Sequence, residues 1–106
     1  MRILQKFLVA SAISSSFSAL VFAQDRIVAA GGDVTEIIYE LGLGDNIVAV
    51  DTTSLFPPAA LAKPKVGYVR QLSAEGVLSV EPDLIIVSGA AGPCGAFEQL
   101  RASGIE

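Results

Sequence analysis

The third of three short apolar runs places the strongest constraint on the fold. Leu84-Ile85-Ile86-Val87 is a stretch of four aliphatic residues with no polar residue between them. Strands of a sheet with one solvated face alternate apolar and polar residues, whereas strands of a parallel sheet covered by helices on both faces do not. The run therefore predicts a strand buried on both faces of a parallel sheet.

Two earlier apolar runs and the segment between them continue this pattern. Residues 26–30 and 47–50 are short apolar runs, followed respectively by glycines and by polar turn residues. Between them, residues 34–41 repeat apolar side chains at helical spacing. Asp33 and Glu36 are spaced as in a capping box, so the sequence predicts a helix that Asp33 caps.

Two further helices are predicted in the second half of the chain. Ser73 is placed to cap a helix that runs to Val80 and is broken by Pro82. Residues 96–102 form the last helical segment, with Gly104 as a C-terminal glycine cap. The order strand, helix, strand, helix, strand, helix predicts an α/β fold, with a parallel sheet flanked by helices.

The first 23 residues differ in composition from the rest. Arg2 and Lys6 precede an apolar stretch, residues 7–22, that is interrupted by serines and followed by Ala23. A membrane-spanning helix needs about 20 predominantly apolar residues, whereas a short basic region, a shorter apolar region and a small-residue end are typical of a secretory signal peptide. We therefore predict a signal peptide over residues 1–23, cleaved after Ala23, and a periplasmic location.

The composition of the remaining domain, residues 24–106, excludes several function classes. Five Lys and Arg face eleven Asp and Glu there, so no basic patch is available for a nucleic-acid backbone. The chain has no His and one Cys, which excludes a Cys/His zinc site, a disulfide framework and a His-containing catalytic triad. No acid–base pair is apparent, so we predict no catalytic residues and no enzyme activity.

The glycine pair after the first strand is a candidate binding loop. Dinucleotide-binding proteins carry G-x-G-x-x-G between a strand and a helix. If Gly32 is the middle glycine of that pattern, Ala30 and Thr35 occupy the other two positions. The match is weak, so Gly31-Gly32 favours a tight turn, and a small nucleotide-binding α/β enzyme is the least favoured alternative.

Tyr68 is the candidate for metal chemistry. It is either an aromatic cover on the core or a phenolate ligand, and tyrosine is a known axial ligand of haem iron. A phenol ionises near pH 10, so ligation at neutral pH needs the charge of the metal and a nearby cation, for which Arg70 is placed. Without His, and with Met only at position 1, an iron ligand could only be Tyr39, Tyr68 or Cys94. Tyr39 lies within a predicted helix, and spacing does not decide between the other two.

Four stretches of the chain are distinctive: Gly31–Ile37, Asp51–Ser54, Gly67–Gly76 and Pro82–Leu84. Together they resemble a known family, the periplasmic haemin-binding proteins of bacterial haem-uptake ABC transporters. The resemblance covers essentially all of residues 26–105. Its most specific part is G-Y-x-R-x-L-S-A-E-G, whereas E-P-D-L-I-I is shared with the wider siderophore- and cobalamin-binding relatives.

The resemblance implies a two-lobed protein that holds haem, its transported cargo, in the cleft between the lobes. Residues 24–106 then correspond to the N-terminal lobe, and a rigid linking helix and the second lobe are absent from this sequence. An α/β pattern of this kind also leads one to expect a further strand after Gly104, so we expect the chain to be part of a longer protein. One lobe leaves one haem face open, and the 106-residue chain is therefore expected to bind haem weakly or not at all.

The resemblance also assigns roles to individual residues. Tyr68 corresponds to the axial iron ligand, and Arg70 to an arginine that hydrogen-bonds near the phenolate and helps to keep it ionised. Glu75 corresponds to the glutamate that docks onto arginines of the inner-membrane permease, although an acid at that place also suits a helix N-terminus. The implied partners are the permease with its ATPase and an outer-membrane haem receptor upstream. A ferric-siderophore or cobalamin carrier of the same fold is the main alternative.

Overall fold

The computed structural model describes residues 25–106, and the predicted signal peptide over residues 1–23 lies outside them. Within the described residues, no helix is both long enough and apolar enough to cross a bilayer.

Three parallel strands form the sheet, as predicted. They are β1 (Ile27–Ala30), β2 (Ile47–Val50) and β3 (Leu84–Val87), in the order β2-β1-β3. All four residues of the central strand β1 are buried. All four residues of β3 are only half-buried, because β1 is its one strand neighbour in this part of the chain. The prediction that β3 is buried on both faces is therefore wrong, and that description fits β1 instead.

Helices cover both faces of the sheet and create two cores. Helix α1 (Gly32–Glu40) packs on one face, and α2 (Ala74–Leu78) and α3 (Cys94–Ala102) contact each other on the opposite face. Successive side chains of β1 point to opposite faces. Val28 accordingly packs with the α2 and α3 side, and Ile27 with the α1 side. Short 3₁₀ turns lie at residues 44–46, 58–62 and 69–71.

Helix α1 begins differently from the prediction. Gly31 is its N-cap, at a φ of 118°, and no side chain caps the helix. Since the chain enters the helix directly at Gly32, Asp33 already lies within the first turn. The predicted capping box of Asp33 and Glu36 is therefore wrong.

The other two helix starts agree more closely with the sequence. Ser73 caps α2 as predicted, since its Oγ accepts a hydrogen bond from the Gly76 N–H at 3.2 Å. Helix α2 ends at Leu78, two residues earlier than predicted, and α3 begins at Cys94, two residues before the predicted start. Gly104 follows α3 in the left-handed region, with a φ of 86°, and its N–H returns to the helix.

Candidate functional site

The carboxyl ends of the three strands lie at one edge of the sheet, and every predicted iron-ligand position except Tyr39 lies on segments near this edge. We call this region the carboxyl edge and define it by the segments 31–32, 51–54, 66–72 and 88–94. Open parallel sheets bind ligands in the crevice outside the carboxyl ends of their strands. This edge is therefore the candidate ligand-binding region.

Asp51 is a fully buried carboxylate at the carboxyl edge. Its Oδ1 accepts hydrogen bonds from the Gly31 N–H at 2.9 Å and the Ser54 hydroxyl at 2.8 Å. Its Oδ2 accepts from the Thr53 N–H at 3.1 Å and the Thr53 hydroxyl at 2.7 Å. Burial acts to raise the pKa of Asp51, but these hydrogen bonds act to lower it and prevail, so its pKa lies below the ordinary value of 3.8. The carboxyl group is therefore ionised at neutral pH.

The glycine pair is explained by crowding at this edge. A Cβ added to Gly31 would lie 2.8 Å from the Cβ of Ser88, and one added to Gly32 would lie 2.8 Å from the carbonyl oxygen of Thr53. Side chains do not tolerate such distances, so both positions require glycine. These contacts explain the glycine pair as a tight turn, so a phosphate-binding role is not needed to explain it.

Tyr68 lies on a loop that backbone hydrogen bonds hold from two sides. On one side, the Thr52 N–H donates to the carbonyl oxygen of Gly67 at 2.9 Å. On the other, the Gly92 N–H donates to the carbonyl oxygen of Val69 at 3.0 Å. Val69 is buried, whereas the Tyr68 side chain is 41% exposed. The loop therefore presents an accessible phenol from a fixed backbone.

Arg70 and Glu75 are both exposed on segments that follow Tyr68. Arg70 lies in the 3₁₀ turn at 69–71, and Glu75 lies in the first turn of α2. Within residues 25–106, neither side chain makes a hydrogen bond or an ion pair. Arg70 lies in the short turn that Tyr68 precedes, and it makes no hydrogen bond to the Tyr68 hydroxyl in this structure.

The other two candidate iron ligands differ in accessibility. The Tyr39 hydroxyl is buried and has no hydrogen-bond partner within residues 25–106, and its ring packs closely against Gly44. Burial, and then the charge of Asp45, raise the pKa of Tyr39, which disfavours a phenolate there. Cys94 is an exposed free thiol, two residues beyond the Gly92 that bonds to the Tyr68 loop. The geometry therefore disfavours Tyr39 and places Cys94 on a segment adjoining the Tyr68 loop.

A metal ion held by protein side chains alone has no evident site in this part of the chain. Among residues 25–106, no group of three or more His, Cys, Asp and Glu side chains could hold one. An axial ligand to haem iron needs no such group, because the porphyrin supplies the equatorial nitrogens.

Comparison with known proteins decides the family. Residues 27–106 match the family described as periplasmic binding protein. The chain belongs to the periplasmic binding protein family. One solved member, the periplasmic heme-binding protein HutB of Vibrio cholerae, is 51% identical with a TM-score of 0.70, over 77% of this chain and 32% of that one. The periplasmic heme-binding protein RhuT from Roseiflexus sp. RS-1 is 47% identical with a TM-score of 0.73, over 76% of this chain and 31% of that one.

A curated relative of this periplasmic binding protein is named for a different ligand, vitamin B12. The vitamin B12-binding protein of Vibrio cholerae serotype O1 is 38% identical over 92 residues, which cover 87% of this chain and 33% of the relative. The chain thus spans about a third of the length of these relatives. The α/β prediction is confirmed as the N-terminal portion of their fold. The family consists of periplasmic binding proteins, which are not enzymes, so that prediction is confirmed as well.

Sequence reasoning missed Asp51 as the centre of the carboxyl edge. It identified residues 51–54 as the start of a loop and as part of the resemblance, but gave the carboxylate no role. An acidic residue directly after a buried strand, followed by three hydroxyl residues, was the available signal. Such a group can receive several local hydrogen bonds, which is how an Asx-type turn forms.

Proposed function

We propose that residues 24–106 form the N-terminal lobe of a periplasmic protein that carries haem to an ABC importer, after cleavage of a signal peptide over residues 1–23. One observation carries the proposal. Tyr68 is an exposed phenol on a backbone-held loop at the carboxyl edge, in a chain 47% to 51% identical to two periplasmic heme-binding proteins. Haem is the cargo, and Tyr68 is the axial ligand of its iron.

Arg70 supports the ligand in this proposal. An ionised phenol is stabilised by a cation within a few ångströms, in addition to the ferric ion itself. Arg70 is two residues from Tyr68, exposed, and without a partner among residues 25–106. Its guanidinium is therefore available either to the phenolate or to a haem propionate, for which its planar donor geometry is well suited.

Glu75 serves the delivery step in this proposal. Its carboxylate is exposed in the first turn of α2 and has no partner among residues 25–106. An unpaired surface carboxylate on the segment that follows the ligand loop suits a cationic surface on the inner-membrane permease, because complementary charge guides association.

Cobalamin is the second candidate cargo. The 38% identity to a vitamin B12-binding protein over 87% of the chain favours it. Tyr68 separates the two cargoes in this proposal, because haem iron accepts a tyrosine as an axial ligand. The assignment of the cargo therefore depends on the role of Tyr68.

A lobe-swap protein provides the test. Residues 24–106 replace the corresponding first lobe of HutB, so that a second lobe is present, and haemin and cyanocobalamin are titrated separately. We expect saturable haemin binding with the absorption of a tyrosinate-ligated ferric haem. The Tyr68→Ala variant should lose that absorption, since it removes the phenolate.

Cys94→Ser is the matched control, because it changes the other accessible candidate ligand. It should leave the haem spectrum unchanged. Retention of the spectrum in Tyr68→Ala would contradict Tyr68 as the ligand. If the unsubstituted lobe-swap protein bound cyanocobalamin and gave no haem spectrum, the cargo would be cobalamin and not haem.

A further inference from the structure

We propose that Asp51 is a positioning residue for Tyr68, acting through the backbone hydrogen bond between Thr52 and Gly67. The proposal rests on the proposed function, in which Tyr68 is the ligand. Asp51 itself is fully buried and touches no ligand position directly. Its effect on Tyr68 follows from three linked sets of contacts.

The first set anchors Asp51 to the centre of the sheet. The Asp51 N–H donates to the carbonyl oxygen of Ala29 in β1 at 3.1 Å, and the Gly31 N–H donates to the carboxylate at 2.9 Å. Both partners belong to or directly follow the most buried strand. The carboxylate is therefore fixed relative to the central, fully buried strand of the sheet.

The second set shapes the turn that follows. The carboxylate accepts from the Thr53 N–H, the Thr53 hydroxyl and the Ser54 hydroxyl, and the Ser54 N–H donates to the Asp51 carbonyl oxygen at 3.2 Å. These bonds fold residues 51–54 back on the carboxylate. Of the three amides that follow Asp51 in the turn, only that of Thr52 bonds outside the turn.

The third set reaches the ligand loop. The Thr52 N–H donates to the carbonyl oxygen of Gly67 at 2.9 Å. That carbonyl belongs to the same planar peptide unit as the N–H of Tyr68, so fixing it fixes the plane from which Tyr68 begins. Gly67 has a φ of 106°, a conformation that needs such a restraint because glycine is otherwise free to leave it.

The chemistry of the buried group also favours a positioning role. Among residues 25–106 no cation pairs with Asp51, and its charge is satisfied by hydrogen-bond donors alone. Burying a carboxylate is costly unless every bond is made, and an uncharged side chain would complete a simple turn at lower cost. The four bonds to this ionised group measure 2.7 to 3.1 Å. Bonds to a charged group are stronger than bonds between neutral groups, so they favour a fixed turn.

The test compares two buried substitutions in the lobe-swap protein. Asp51→Asn keeps the shape of the side chain but cannot accept all four bonds. We expect its haemin affinity to fall about 10- to 100-fold, as for other groups that orient a metal ligand, with an altered tyrosinate absorption. Thr35→Val is the matched control. It removes the buried 2.7 Å bond between Thr35 and Ser54 in the same network, away from Gly67, and should leave the spectrum and affinity unchanged.

Two results would overturn the proposal. One is an Asp51→Asn protein with unchanged haem spectrum and affinity. The other is an equal loss in Thr35→Val and Asp51→Asn at equal loss of stability, which would show a purely structural role.

Amide hydrogen exchange in the chain itself tests the link without haem and without reliance on the variant folding. The Thr52 amide should be protected, and Asp51→Asn should accelerate its exchange more than that of Leu72, which bonds to Gly92 on the other side of the Tyr68 loop. Fast exchange of Thr52 in the unsubstituted chain would overturn the proposal even if Asp51→Asn does not fold. Failure of haem binding with a protected Thr52 would instead overturn the proposed function alone.

Discussion

The two edges of the sheet are held together by different chemistry. At the amino edge, before β1 and β3, Arg26 donates from its backbone to the Asp83 carboxylate at 2.7 Å and from its guanidinium to the carbonyl oxygens of Val80 and Glu81 at 2.8 and 3.0 Å. These contacts are exposed. At the carboxyl edge, the Asp51 carboxylate receives its bonds out of contact with water. Water replaces a lost exposed bond, whereas a buried group left unsatisfied bears the full desolvation cost.

The comparison indicates that the carboxyl edge fixes the position of the Tyr68 loop, whereas the amino edge only adds stability to the fold. Tyr68, the candidate ligand, lies on the edge where a small change leaves buried groups unsatisfied. The amino edge carries no candidate ligand. Its hydrogen bonds are exposed, so water can replace them when they are lost. Substitutions at the two edges should therefore differ in how much they lower the free energy of unfolding and in whether they weaken haemin binding.

The largest effect is expected from Gly31→Ala at the carboxyl edge. A residue with a side chain at a φ of 118° is strained, and the added Cβ would lie 2.8 Å from both the Asp33 carboxylate and the Ser88 Cβ. We expect the free energy of unfolding to fall by about 3 kcal/mol or more, as measured by urea denaturation.

Gly89→Ala is the matched control, since it lies at the same edge with nothing within 4 Å of its added Cβ. It should have little effect on the unfolding free energy. Equal stability of the two variants would show that the glycine turn is not crowded and that the carboxyl edge is less rigid than proposed.

The strands were predictable because their signal is local. The apolar runs at 47–50 and 84–87 became β2 and β3 residue for residue. Ser73 was likewise predictable as a cap, because its partner is only three residues away. Such short-range patterns can be predicted because the interacting groups are close to each other in the sequence.

The parts that could not be predicted depend on residues distant in sequence. The need for glycine at position 31 depends on the approach of Ser88, and the role of Asp51 depends on donors that include Gly31, 20 residues earlier. The half-burial of β3 depends on which elements lie beside it. For Tyr68, the resemblance predicted the ligand role, but only the structure shows the bonds from Thr52 and Gly92 that hold its loop.

A smaller effect is expected from acidification, and it separates Asp51 from its neutral replacement. Because its pKa is lowered on folding, the Asp51 carboxylate stabilises the fold fully above the unfolded value near 3.8, and this contribution is lost as pH falls through the folded pKa. At neutral pH, Asp51→Asn should cost about 1.5 to 3 kcal/mol. Urea denaturation at a series of pH values should show this difference shrinking below pH 3.8.

Thr35→Val provides the reference for that series, because it does not titrate. Its stability should remain at a constant offset from that of the unsubstituted chain at every pH. Parallel curves for Asp51→Asn and the unsubstituted chain would contradict the assignment of Asp51 as the buried ionised group of the carboxyl edge.

The smallest effect is expected at the amino edge, from Arg26→Met. The substitution keeps an unbranched side chain and the backbone bond to Asp83, and removes the guanidinium group with its two exposed bonds. Since exposed polar contacts contribute little, the unfolding free energy should fall by no more than about 1 kcal/mol. Urea denaturation of the chain measures this change, and haemin titration of the lobe-swap protein should show unchanged affinity and spectrum. If Arg26→Met weakened haemin binding as strongly as Asp51→Asn, the two edges of the sheet would be coupled, and the distinction drawn between them would be wrong.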